Sequence, residues 1–138
     1  MLVVAPLAWL LLQLMALPHK LSEISHTLDA IERVESGCRT DLVGDGGRAI
    51  GSFQVWEGYW KDAVEHDRRC GGAFRISGAP YSACRDRAYA RRVVLSYLSR
   101  YRAMTPEQMA RIHNGGPKGA SKKSTLTYWK NVGARRTP

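Results

Sequence analysis

The stretch over residues 39–55, RTDLVGDGGRAIGSFQV, constrains the fold most, because here helical periodicity gives way to glycine. Asp45-Gly46-Gly47 signals a tight turn, and the apolar residues near the end of the stretch complete a small β-hairpin. Most of the remaining chain has helical spacing. Leu28, Ile31 and Glu35 fall at i, i+3 and i+7 with Val34 beside them, so a helix is expected from a Thr27 cap to about Ser36, with Gly37 as its stop. Trp56, Tyr59, Trp60, Ala63 and Val64 form a second apolar stripe. Tyr89, Val93, Val94, Tyr97, Leu98 and Tyr101 form a third, within about residues 86–102. Thr105-Pro106-Glu107-Gln108 predicts a capped helix start, and Gly115-Gly116-Pro117 lies just past its end near His113. A last short helix, begun by Ser124 or Thr125, carries Leu126, Trp129 and Val132, while residues 68–84 read as loop. The expected class is α+β, predominantly helical, with one small hairpin inserted early.

Two carboxylates flank the start of this hairpin. Glu35 sits on the apolar face of its helix, within a turn of the C-terminus. Burial strips an anion of its hydration, and the partial negative charge at a helix C-terminus repels it, so both favour the neutral acid. A general acid working near neutral pH needs that form. Ten residues on, Asp45 lies in the glycine-rich turn, where backbone N–H groups and water can keep it charged. A neutral carboxyl paired with a charged one is what cleavage of a glycosidic bond requires. The first protonates the leaving oxygen; the second stabilises or attacks the oxocarbenium-like centre. Asp41 is a rival for the second role, without the turn context. Taken singly, each residue has a plainer reading: Glu35 as a rim carboxylate reaching solvent, Asp45 as a turn former.

Charge is spread unevenly. Residues 85–138 hold 13 Lys and Arg against 2 Asp and Glu, whereas residues 1–84 hold 8 against 10. Such a basic half favours a polyanionic partner, whether nucleic acid, an anionic membrane or an acidic cell-wall polymer. The arginines of residues 85–102 flank an apolar stripe and are expected on a solvated face. The lysine-rich string GPKGASKKS (116–124) is the better candidate for an acidic wall polymer, and no specific nucleic-acid contact is expected. The first 18 residues carry no charge, and their apolar core, Leu2 to Leu17, is about right for a signal peptide and short for a membrane span. Residues 1–19 therefore read as an export signal or N-terminal anchor, and 20–138 as one domain that is secreted or periplasmic. Against this, no Lys or Arg precedes the core, and the alternative is a start codon placed too early. Three cysteines leave one over. A bridge between Cys70 and Cys84 would staple the glycine-rich loop they bracket, with Cys38 as a small buried apolar residue. No Cys-x-x-Cys pair or His cluster is present, so neither a metal nor another cofactor is expected.

With these residues in hand, the chain resembles the invertebrate-type, destabilase-like lysozymes. The resemblance is carried by IERVESGCR (31–39), VGDGGRAIGSFQV (43–55), EGYWKDA (57–63), RIHNGGPKG (111–119) and TLTYWKNV (125–132), covering roughly residues 28–132 in order. It implies a lysozyme-like fold, Glu35 as the acid and Asp45 as its partner. The implied substrate is the β-1,4 bond between N-acetylmuramic acid and N-acetylglucosamine in peptidoglycan, with chitin-like polymers as the alternative. The HNGGP string resembles the far wall of the sugar cleft. His113 and Asn114 would present polar groups to the sugar or the acid, and Gly115 and Gly116 would let the backbone approach closely. A structural histidine at a helix end is the other reading of His113. Gln54 and Tyr59 are further expected lining residues.

Two departures narrow the resemblance. Animal members are densely disulfide-bonded and this chain has at most one bridge, which points to a bacterial or phage relative. Some members also have an isopeptidase activity resting on a hairpin Ser and a Lys after the Gln-containing strand. Arg48 and Ala49 occupy the hairpin region and Trp56 follows Gln54-Val55, so that activity is not expected. The rival functions are a lytic transglycosylase using Glu35 alone and a non-enzymatic cationic protein binding envelopes through residues 85–138. The expected partner is peptidoglycan, and the expected state a monomer.

Overall fold

The computed structural model describes residues 7–136, so the first six residues of the expected export segment lie outside the described residues. Helix α1 (Leu7–Ser36) runs for 30 residues with Pro18 inside it. The expected Thr27 cap is corrected: the helix is already under way, its N–H groups there are paired, and the buried Thr27 hydroxyl donates back to the Glu23 carbonyl at 2.7 Å. The helix stops where expected. Gly37 takes φ +63°, and its N–H donates to the Arg33 carbonyl at 3.0 Å. The N-terminal half of α1 leaves Leu12, Met15, Leu17 and Leu21 exposed. No helix among the described residues is long and apolar enough to cross a membrane.

The hairpin forms, with a third strand added. β1 (Val43–Gly44), β2 (Ala49–Ile50) and β3 (Val55–Trp56) make an antiparallel sheet with Val43 opposite Ile50 and Ala49 opposite Trp56. A single 3₁₀ turn over Asp45–Gly47 joins the first pair. Trp56, expected on a helix, instead ends β3, because Gln54 turns the chain back at φ +50°. Gly51 is required at φ +76°, where a Cβ would collide with the Cys84 carbonyl.

Four helices complete the body: α2 (Glu57–Arg69), α3 (Arg87–Arg100), α4 (Pro106–Gly115) and α5 (Leu126–Arg135). Asp86 caps α3 by accepting from the Tyr89 N–H, and α4 carries the full Thr105–Gln108 capping box. Thr125 does not cap α5. Its hydroxyl is turned instead to the Gly119 and Lys122 carbonyls, both at 2.8 Å. The core gathers Leu28 and Ile31 of α1, Phe53 just before β3, Val55 of β3, Val93 and Val94 of α3, and Val132 of α5.

Three expectations about side chains are corrected. The arginines of α3 are not simply solvated. Arg87 grips both oxygens of the fully buried Glu32, and Arg91 reaches Asp29 at 2.7 Å, so the two helices are tied by ion pairs. The Cys70–Cys84 bridge is absent: all three cysteines are free. Cys84 points into the core, where burial pushes its thiol up to about 12, while Cys70 is exposed beside His66 at the end of α2. Cys38, expected to be buried, is exposed at φ +67°. The loop is stapled by a carboxylate instead. Buried Asp67 accepts from the N–H groups of Phe74, Ile76 and Ser77 and from the Ser77 hydroxyl. Burial opposes its charge, but these four donors outweigh it and hold the carboxyl below its ordinary range.

Candidate active site

A groove of about 600 Å³ runs between the sheet and the helical body. The end of α1 and the hairpin turn stand at its walls because the chain must reverse at Gly37 to enter β1. Glu35, Asp45, Gln54, Tyr59, His113, Asn114, Gly115 and Gly116, all expected at the site from sequence, line this one groove. Trp56, Asp62, Tyr97 and Lys122 line it too.

Glu35, on the last turn of α1, keeps 19% of its side chain exposed. Its Oε1 accepts from the Tyr128 hydroxyl at 2.7 Å and lies 3.3 Å from Nε2 of His113. His113 is buried near the end of α4, and its Nδ1 lies 2.9 Å from the Tyr59 hydroxyl. The Tyr59 ring in turn stacks on Tyr97 of α3, centroids 3.5 Å apart. Burial, reinforced by Tyr97 and by the Glu35 charge, pushes the Tyr59 phenol well above its ordinary value. Burial and Glu35 do the same to Tyr128. Both phenols therefore stay protonated near neutral pH and can donate.

Asp45 has a different setting. It is exposed at φ +50° in the hairpin turn, and its Oδ2 accepts from Trp56 Nε1 at 3.0 Å. Arg48 holds the Asp45 carbonyl at 2.9 Å and lays its guanidinium over the Trp56 ring. Asp41, the rival, does not line the groove. It pairs with Arg39, whose hydrogen bond and charge hold its carboxyl below the ordinary range.

Other residues play parts that sequence alone did not suggest. Gln54 faces the groove, but its amide group is committed to the Leu42 and Gly51 carbonyls, so it braces the hairpin. Gly115 is needed for packing, since a Cβ there would collide with the Thr125 methyl. Lys122 lies across the groove rim and donates to the Gly115 carbonyl at 2.6 Å. The residue most clearly missed is Tyr128. It lies off the Leu126–Trp129–Val132 stripe, and only the string TLTYWKNV marked its neighbourhood. Asp62 was also missed; its Oδ2 is taken by the Tyr101 hydroxyl.

Comparison with known proteins gives the family. The destabilase family model matches residues 25–134. A lysozyme of Magallana gigas is 37% identical over 119 residues, covering 78% of this chain and 77% of that protein. Invertebrate-type lysozyme 6 of Caenorhabditis elegans is 34% identical over 104 residues, covering 70% of this chain and 71% of the other. Among solved structures, an inhibitor-bound lysozyme from Meretrix lusoria superposes with a TM-score of 0.62 at 33% identity, covering 78% of this chain and 85% of that one. The chain therefore belongs to the destabilase family and is a glycosidase of the lysozyme type.

Proposed function

We propose that the protein hydrolyses the β-1,4 bond between N-acetylmuramic acid and N-acetylglucosamine in peptidoglycan, with Glu35 as general acid and Asp45 as second carboxylate. The observation that carries this reading is that the two carboxyls line one groove in opposite settings. Glu35 is mostly enclosed among two phenols and an imidazole, none of them a permanent cation. Asp45 is open to water and hydrogen-bonded by an indole N–H. Glu35 is thus placed to pass a proton to the leaving oxygen, and Asp45 to face the oxocarbenium-like centre. His113, Asn114 and the Gly115-Gly116 backbone form the opposite wall for the sugar. Lys118, Lys122 and Lys123 offer exposed cations to acidic wall polymers. Residues 1–19 serve as the export segment that brings the enzyme to its substrate outside the cytoplasm.

Digestion of purified peptidoglycan tests the reading. The parent protein yields fragments with water added at reducing ends. Glu35→Gln yields none, and Asp45→Asn yields far fewer. Anhydro ends from the parent would make it a transglycosylase and remove the role of Asp45. Wall lysis by Glu35→Gln at the parent rate would remove the enzyme reading of Glu35 altogether.

A further inference from the structure

We infer that Trp56 and Arg48 are positioning residues for Asp45: with it they close a circuit of contacts that fixes its carboxyl group in the groove. This rests on Asp45 being the second carboxylate.

The turn by itself gives Asp45 little to hold it. Gly44 precedes it and Gly46 and Gly47 follow, and glycine backbone is freer than that of any other residue. Asp45 is exposed and takes φ +50°, a backbone conformation uncommon outside glycine. A carboxyl group on such a turn would sweep many orientations, and fixing one of them has an entropic cost that contacts must offset.

Two side chains supply those contacts. The indole Nε1–H of Trp56 donates to Asp45 Oδ2 at 3.0 Å, and the Nε–H of Arg48 donates to the Asp45 carbonyl at 2.9 Å. Both hydrogens are fixed by chemistry, since an indole nitrogen and a guanidinium can only donate. The Arg48 guanidinium carbon lies 4.8 Å from the centre of the Trp56 ring, so each donor braces the other. The circuit runs from the Asp45 carbonyl through Arg48 and Trp56 and returns to the Asp45 carboxyl group. Its anchor is the sheet. Trp56 lies in β3 opposite the buried Ala49 of β2, and its neighbour Val55 belongs to the core. The indole is therefore set by the core, and it ties the glycine-rich turn to the strand across the sheet. Trp56 and Asp45 line the same groove as Glu35. A displacement of about 1 Å in a reacting group can cost on the order of a hundredfold in rate, so a carboxyl group on a loose turn needs such a tie.

Kinetics on purified peptidoglycan and spectra of the full chain test this. Trp56→Phe keeps an aromatic ring beside the groove and removes the N–H donor. Its kcat should fall about tenfold to a hundredfold, with KM changed by less than about twofold. Arg48→Met, which removes the brace behind the indole, should lower kcat about two- to fivefold. In an Asp45→Ala background, adding Trp56→Phe should change the residual kcat by less than about twofold, because a residue acting through Asp45 has nothing left to act on. In ¹⁵N spectra the assigned Trp56 indole N–H signal should move between the parent and Asp45→Ala, a comparison that does not depend on how well Trp56→Phe folds. Parent kcat in Trp56→Phe, a rise in KM alone, an equal loss in the Asp45→Ala background or an unmoved indole signal would overturn the positioning role while leaving Asp45 as the second carboxylate. Parent activity in Asp45→Ala would instead remove the reading beneath it.

Discussion

Two faces of the same helix end treat a glutamate in opposite ways. Glu32 and Glu35 lie three residues apart near the end of α1. Glu32 faces α3, is fully buried, and is gripped on both oxygens by Arg87. Glu35 faces the groove and meets the Tyr128 hydroxyl and the His113 imidazole. A guanidinium that bonds both carboxyl oxygens at once fills them with charge-assisted hydrogen bonds, which suits a structural tie. Phenols and an imidazole can serve either protonation state. On the proposed reading of Glu35, what separates a structural acid from a chemical one is the permanence of its partner's charge, more than depth of burial.

The contrast can be broken from either side. Glu35→Gln should lower wall lysis at least about a thousandfold, roughly 4 kcal/mol of transition-state stabilisation, while urea unfolding keeps the parent midpoint. A midpoint that drops with activity would mean Glu35 is structural like Glu32. Arg87→Met should do the reverse. It leaves Glu32 buried without its cation and costs about 2–4 kcal/mol by urea denaturation, less than for a fully enclosed pair because Arg87 is half exposed. Activity per folded molecule should hold.

Asp67 sharpens the comparison, since it too is buried but has only neutral donors. Its four hydrogen bonds hold it charged in the fold, so its contribution is present above the ordinary aspartate value of 3.8 and is lost as pH falls through the lower folded-state value. Asp67→Asn should destabilise by about 1–3 kcal/mol near neutrality and flatten the acid limb of a stability–pH curve. An unchanged acid limb would show that Asp67 is not what holds the loop. The smallest effect is expected at Asp41, exposed and paired only with Arg39. Asp41→Asn should alter stability by under about 0.5 kcal/mol and leave lysis intact. Lost lysis there would return it to contention with Asp45.

Much of this molecule is local and could be read from the chain alone. Apolar stripes at helical spacing, the Thr105–Gln108 box, the Gly37 stop and the Asp45-Gly46-Gly47 turn all act between residues a few positions apart. That Glu35 and Asp45 share one groove could be anticipated for the same reason, each being marked by its own short neighbourhood. Thr27 and Thr125 misled because a hydroxyl near a helix can serve a carbonyl as readily as a cap, and only the surrounding turns decide between them. The three cysteines misled because spacing in the chain cannot say that one thiol points inward and the other out. Tertiary structure alone determined which partners the acids meet. Tyr128 lies 93 residues from Glu35, and Arg87 lies 55 from Glu32. Such pairs form only when packing brings α5 and α3 against α1. The physical reason is range: propensity and capping are set by bonded neighbours, whereas the state of a carboxyl is set by whatever charge or dipole the fold places within hydrogen-bonding distance.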